Sequence, residues 1–119
     1  MAAESGDDRL IGILRGTIVS LVSHDRDLTA RQFAVFLTAY LSDGPHTVRG
    51  MAAALQVSKP AVTRAIDRLV ELRLARRIPE PADRRSILVV RTDKGAEFLD
   101  ELRLMLTQAA RGSDEGGLA

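Results

Sequence analysis

Apolar residues recur at helical spacing in five stretches of the chain, and these stretches predict five helices. The first stretch covers residues 8–23 and the last covers residues 93–110. A residue with a hydroxyl side chain stands just before each of the later four stretches and is suited to cap the helix that follows: Thr29, Thr47, Ser58 and Thr92. Only Gln56 and Val57 separate the third and fourth helices, which implies a tight turn between them.

Two short strands are predicted between the fourth and fifth helices. They cover residues 75–78 and 86–91, and the second is rich in β-branched side chains, which favour strands. The segment between them, residues 79–85, contains two prolines and two arginines and is predicted to be an exposed loop at the tip of a hairpin. The fold class is therefore mainly α with a small β-hairpin wing, a winged helix-turn-helix.

The fourth helix has two different faces when its residues are placed at intervals of about 100°. One face is apolar and is predicted to face the core: Val62, Ala65, Ile66 and Leu69. The opposite face is small, hydroxylated and basic, with one acid: Pro60, Thr63, Arg64, Asp67 and Arg68. In a helix-turn-helix the second helix enters the major groove of DNA, and its first turns approach the base edges. The sequence therefore predicts that the fourth helix reads DNA.

Individual roles follow from side-chain chemistry. Ser58 is first of all a helix cap, to which a phosphate contact would be an addition. Arg64 is placed for a bidentate contact to guanine, whereas Lys59 and Arg68 are better suited to phosphates. Pro60 and Ala61 are small enough to permit close approach. The residues of this segment expected to contact DNA are Ser58, Lys59, Pro60, Ala61, Thr63, Arg64 and Arg68.

The formal net charge of +1 conceals a strong division along the chain. Residues 58–94 carry ten Lys or Arg against five acids, whereas residues 95–119 carry two Arg against five. This segregation favours a basic face for a polyanion. A turn does not require the two arginines at the hairpin tip, and a narrow minor groove attracts inserted arginine. We therefore expect Arg85, together with Arg84, to enter the minor groove, while Asp83 either orients an arginine or caps the turn.

Three segments carry a resemblance to the multiple-antibiotic-resistance regulator (MarR) family of bacterial transcription factors. They are the run from Val57 to Leu69, Asp83-Arg84-Arg85-Ser86, and Thr92-Asp93-Lys94-Gly95. The likeness covers about residues 28–102. It implies a homodimer on a palindromic site that represses nearby genes and is often released by a small ligand. It also implies that Arg85 is the minor-groove arginine, with Asp83 as its paired wing acid.

The resemblance further implies that residues 8–23 and 93–110 are dimerisation helices on either side of a DNA-binding lobe at residues 29–91. One domain is predicted over residues 8–110, with disordered segments at residues 1–7 and 111–119. Gly12 and Gly16, one turn apart, allow a close helix contact across a dimer. The sequence departs from the family at Gly50 and Glu80, and it ends soon after the fifth helix, so the usual long final helix is expected to be missing or reduced.

The predicted function is a sequence-specific regulator of transcription that binds double-stranded DNA and acts as a repressor. The alternative is a winged-helix protein-interaction module that assists another regulator or polymerase. An enzyme is not expected, because cysteine is absent and His24 and His46 lie in no triad or metal spacing. No cofactor, metal or membrane partner is expected, a small-molecule effector is left open, and the predicted location is cytoplasmic.

Overall fold

A computed structural model describes residues 6–114, in which five helices and one hairpin follow each other along the chain. The elements are α1 (Gly6–Ser23), α2 (Ala30–Leu41), α3 (Val48–Leu55), α4 (Lys59–Glu71), β1 (Ala75–Glu80), β2 (Asp83–Arg91) and α5 (Asp93–Asp114). The mainly α fold with a β-hairpin is thus confirmed. The chain divides into two compact units: unit 2 covers residues 28–99, and unit 1 comprises the described residues before and after it.

The four predicted caps are all confirmed. Thr29 Oγ1 accepts a hydrogen bond from the Gln32 backbone N–H at 3.1 Å, and Gln32 Oε1 accepts one from the Thr29 N–H at 3.0 Å, which forms a reciprocal capping box. Single caps begin the other three helices: Thr47 accepts from Gly50 N at 2.9 Å, Ser58 from Ala61 N at 3.2 Å, and Thr92 from Gly95 N at 2.9 Å. These contacts span three residues each, so the local sequence is sufficient to define them.

Unit 2 has an aliphatic core with a small aromatic cluster. The Phe36 ring lies 4.5 Å from the Tyr40 ring and 5.2 Å from the Phe98 ring, the latter in an edge-on contact. The predicted core face of α4 is buried throughout, at Val62, Ala65, Ile66 and Leu69. This core fixes the orientation of α4, because its apolar face is held and its polar face is left in solvent.

Tyr40 joins the end of α4 to the start of α5. Its hydroxyl donates to the Leu74 carbonyl at 2.6 Å and accepts from the Thr92 N–H at 3.0 Å. Arg91 lies beside it: Nε donates to the Ala39 carbonyl at 2.8 Å, and the guanidinium stacks 5.8 Å from the centre of the Tyr40 ring. One of the ten basic residues counted in residues 58–94 therefore closes the end of α2 and is structural.

The wing differs from the sequence prediction. The strands reach further towards the tip than residues 78 and 86, so the predicted loop at residues 79–85 is wrong and only Pro81 and Ala82 connect β1 to β2. Regular antiparallel pairing runs from Ala75 with Arg91 to Pro79 with Ile87, and Glu80 then pairs with Asp83. This shift leaves residues 84–86 of β2 without partner positions in the ladder. Proline does not prevent this pairing, because a two-stranded sheet consists of edge strands.

Unit 1 contains α1 and the part of α5 from residue 100 onwards. The two helices approach closely at Gly16, where an added Cβ would lie 3.1 Å from Ala109 Cβ, whereas Gly12 has no neighbour within 4 Å of such an atom. Gly16 thus serves a contact within the chain. Arg26 and Glu101 form an exposed ion pair at 3.8 Å.

Two expectations at the chain ends need correction. Helix α1 begins at Gly6, and α5 continues to Asp114, so the predicted disorder is wrong for residues 6–7 and 111–114. In α5 no proline interrupts the helical stretch, and a single Gly112 in the last turn is tolerated. The remaining predicted disorder falls on residues 1–5 and 115–119, which lie outside the described residues. None of the described helices is long and apolar enough to cross a membrane.

Candidate nucleic-acid interface

The exposed face of α4 is the one predicted from its spacing. The residues that the structure leaves in solvent at the start and along this face are Ser58, Lys59, Pro60, Thr63, Arg64, Asp67 and Arg68. Ser58 accepts the capping hydrogen bond, and Pro60 occupies a first-turn position, where its missing N–H costs nothing. Short side chains near the helix start leave the backbone of this end accessible to a neighbouring surface.

Ala61 does not belong to this face. Its side chain is buried, and Ala65, one helical turn later, is buried on the same side. The DNA contact expected of Ala61 stays a prediction, and the burial of its methyl group does not support it. Its small size allows α4 to pack closely against the rest of unit 2.

The charged residues of the face differ in whether they are already paired. Arg68 forms an ion pair with Glu71 at 3.8 Å, and Asp67 forms one with Arg77 of β1. Arg64 has no ion-pair or hydrogen-bond partner within residues 6–114. Arg64 is therefore the cation near the centre of this face that is exposed and has no paired group among the described residues. Recognition of a guanine edge requires such a free guanidinium group.

The wing carries the second set of predicted site residues. Arg84 and Arg85 are both exposed, they lie in the stretch of β2 that has no ladder partners, and neither pairs with an acid in the described part of the chain. Asp83 Oδ1 accepts a hydrogen bond from the Arg85 backbone N–H at 3.0 Å, and Oδ2 accepts one from Ser86 Oγ at 3.3 Å. Of the two roles considered for Asp83, the structure shows capping of the turn; it holds the backbone of Arg85 and not its side chain.

The base of the wing is anchored on both sides. One edge of β2 pairs with β1. On the opposite edge of β2 the Val89 N–H donates to the His46 carbonyl at 2.9 Å, and an isolated β-bridge joins Thr47 to Leu88. The Asp67–Arg77 pair adds a contact between α4 and β1. The exposed arginines therefore project from a supported hairpin.

Sequence reasoning missed three features of this site. The turn between α3 and α4 depends on Gln56 in the left-handed conformation, with φ of 57°, although glycine or asparagine is the usual residue there. The cap that Arg91 provides for the end of α2 could not be predicted, because Arg91 is distant from α2 in the sequence and no neighbouring residue indicates the contact. The ion pair of Arg77 with Asp67 became evident only from the tertiary structure, because the two residues lie on different elements.

No group of three or more His, Cys, Asp or Glu side chains that could hold a metal ion occurs between residues 6 and 114.

The surface described above is basic and hydroxylated, with arginines in two places: on the centre of the exposed face of α4 and on the adjoining hairpin. Such a combination defines the winged helix-turn-helix class of DNA-binding proteins.

Comparison with known proteins identifies the family within this class. Residues 26–86 match the sequence profile of the MarR family. The HTH-type transcriptional repressor NicR of Pseudomonas putida is 33% identical over 78 residues, which are 66% of this chain and 49% of NicR. The chain thus spans about half the length of this curated relative.

Solved structures agree with this identification. CouR of Rhodococcus jostii, bound to p-coumaroyl-CoA, is 27% identical, with a TM-score of 0.64 over 93% of this chain and 76% of CouR. A mutant of S. aureus MepR bound to an oligodeoxyribonucleotide has the same fold, with a TM-score of 0.77 at 19% identity, over 93% of this chain and 80% of MepR. The chain belongs to the MarR family, whose members are transcription regulators and not enzymes.

Proposed function

We propose that this chain is a repressor that binds a palindromic operator as a homodimer. One α4 would enter each of two successive major grooves, whose centres are about 10 base pairs apart. The observation that carries the proposal is the exposed and unpaired Arg64 at the centre of a small, hydroxylated helix face.

Within each half-site, Arg64 would contact a guanine edge and Thr63 a base or phosphate, because only these two extend from the middle of the exposed face without a paired acid. Ser58, Lys59 and Arg68 would contact phosphates, and Pro60 would allow the helix start to approach the backbone. Arg68 would exchange its exposed partner Glu71 for a phosphate, which costs little in water.

The wing would contact the adjacent minor groove. Asp83 fixes the backbone at Arg85, and the ladder leaves residues 84–86 free to project. Arg85 is the residue we place in the groove, with Arg84 beside it, because arginine is favoured where the minor groove is narrow.

Unit 1 supports the homodimer. Six large apolar side chains of α1 are more than 45% exposed: Leu10, Ile11, Leu14, Ile18, Val19 and Val22. Such a contiguous apolar helix face normally marks an interaction surface. A second copy of the chain would bring the same face and bury both, and we place residues 8–23 and 93–110 at this contact.

Repression and ligand control are proposed from the relatives. NicR is a repressor by name, and CouR is solved with p-coumaroyl-CoA bound. A small-molecule effector of this chain would be detected as a compound that lowers its affinity for the operator. A regulator of this kind acts on the bacterial chromosome, which places the protein in the cytoplasm.

The test is fluorescence anisotropy with the DNA upstream of the protein's own gene, against scrambled DNA, over a series of salt concentrations. We expect about a hundredfold preference for the upstream DNA and a steep salt dependence, since phosphate contacts release counterions. Arg64→Ala should cost about 1–3 kcal/mol on the operator and relax the choice of base at one position per half-site. Arg85→Ala should weaken binding with less effect on that choice.

Arg111→Ala is the matched control, because it removes the same charge from an exposed position in the last turn of α5, outside the segments that we place at the DNA and at the dimer contact. It should leave DNA affinity unchanged. Weak and equal binding of the wild-type protein to both DNAs would overturn the proposal and direct attention to a protein partner. Equal loss on every sequence for Arg64→Ala would count against base readout by this residue.

A further inference from the structure

A second basic surface of unit 2 lies next to the exposed face of α4, in a groove between the start of α2 and the middle of α4. Residues 29–32 form one side and Arg64 the other, with Ala61 and Ala65 at the bottom. The groove has no acidic lining residue. It therefore presents two arginines, Arg31 and Arg64, across a floor of small side chains.

Arg31 has no structural task that explains its position. It is exposed and has no hydrogen-bond or ion-pair partner among residues 6–114. The capping box of α2 uses only the side chains of Thr29 and Gln32. A cation in the first turn is also repelled by the positive end of the helix, and α2 has no acid in that turn to offset the repulsion. Folding thus gains nothing from a positive charge here.

The position of the groove indicates what Arg31 meets. If Arg64 points at base edges, the surfaces beside α4 face the sugar–phosphate strands that border a major groove about 12 Å wide. Arg31 lies on the neighbouring helix α2, across the groove from Arg64 and thus at least one turn beyond the start of α4. Its guanidinium group is therefore expected to contact a backbone phosphate and not a base.

We propose that Arg31 binds a DNA phosphate at the edge of the major groove that α4 enters. This inference rests on the proposed function and adds a contact from α2, outside both the helix-turn-helix and the wing. A phosphate contact carries no sequence information, so Arg31 contributes affinity and orientation while Arg64 contributes sequence choice.

The test compares Arg31→Ala, Arg31→Lys and the control Arg111→Ala by anisotropy on the operator and on scrambled DNA. Arg31→Ala should weaken both complexes by the same factor and should flatten the slope of log affinity against log salt by about 0.9 for each Arg31 in contact. Arg31→Lys should keep the slope, because it keeps the charge. Arg111→Ala should match the wild type. Thermal unfolding of Arg31→Ala should be unchanged or higher, because alanine is a better helix former and the repulsion is removed.

Direct contact is mapped with duplexes in which single phosphates are replaced by neutral methylphosphonates. The replacement that contacts Arg31 should weaken the wild-type protein and have no further effect on Arg31→Ala. An unchanged affinity and salt slope for Arg31→Ala, while the wild type binds its operator specifically, overturns this inference and leaves the proposed function intact. Failure of the wild type to prefer its operator overturns both. A third outcome would reject the DNA contact. If inorganic phosphate stabilises the wild type but not Arg31→Ala, and both proteins bind DNA with the same affinity, Arg31 belongs to a small-anion site instead.

Discussion

Unit 2 and unit 1 treat their apolar side chains in opposite ways. In unit 2 every large apolar residue is buried or half-buried except Leu41 and Ile87. In unit 1 only Leu21 and Leu102 reach the buried class, while six apolar residues of α1 and both Leu104 and Leu106 of α5 stay exposed. Unit 2 therefore buries its apolar side chains to a large extent, whereas the two helices of unit 1 present apolar surface that the described residues leave exposed.

This difference teaches that helical periodicity does not reveal what covers a helix. The stripes of α1 and α2 predict amphipathic helices equally well. In α2 the stripe meets α4, and Phe36 and Tyr40 are buried. In α1 the stripe extends beyond the part that is buried at Thr17 and Leu21. Substitutions of the same kind in the two units should therefore have different consequences.

The largest effect is expected from Phe36→Ala. Phe36 is fully buried between two other rings, so truncation should leave a cavity and cost about 3–5 kcal/mol in the free energy of unfolding. Urea denaturation followed by circular dichroism measures it. Leu10→Ala in unit 1, where the side chain is 60% exposed within one chain, is the control. It should change the same quantity by less than about 0.5 kcal/mol when unfolding is measured at a protein concentration too low for the proposed dimer to form. Similar losses for the two variants would remove the contrast between the units.

An intermediate effect is expected from Ile18→Glu. If α1 meets a second copy, a carboxylate at this position is desolvated without a partner, and the dimer dissociation constant should rise at least tenfold, which corresponds to about 1.4 kcal/mol. Sedimentation velocity over a concentration series measures it. Leu41→Glu places the same charge on an exposed apolar position of unit 2 and should leave the dimer intact. A wild-type protein that is monomeric at every concentration would contradict the dimer.

The smallest effects are expected from the exposed ion pairs. Arg77→Ala removes the pair with Asp67, and Arg103→Ala removes the pair with Asp100. Each should cost less than about 1 kcal/mol, because both partners remain well solvated. The Arg77 pair joins two elements and is less exposed, so it should be the larger of the two. High salt should diminish both losses, and a loss for Arg77→Ala that persists at about 1 M salt would show that packing of its stem, and not charge, holds β1 to α4.

The sequence by itself determined those features that depend on residues a few positions apart. The helices, their four caps, the buried and exposed faces of α4 and the presence of a hairpin follow from periodicity and short-range hydrogen bonds. The exposure of Arg64 and of the wing arginines was predictable for the same reason. The family could be identified because its distinguishing residues lie in these same short segments.

Only the tertiary structure decided which distant groups meet. Arg91 closes a helix whose accepting carbonyl, at Ala39, lies 52 positions away, and Asp67 finds Arg77 across ten positions. Ala61 is buried because another helix packs beside it, which a small side chain allows but does not reveal. The register of the wing depends on which residues of β1 and β2 pair, and this pairing shifts between Pro79 and Glu80. Such contacts arise when separate elements pack together, so they cannot be predicted from the periodicity of the sequence.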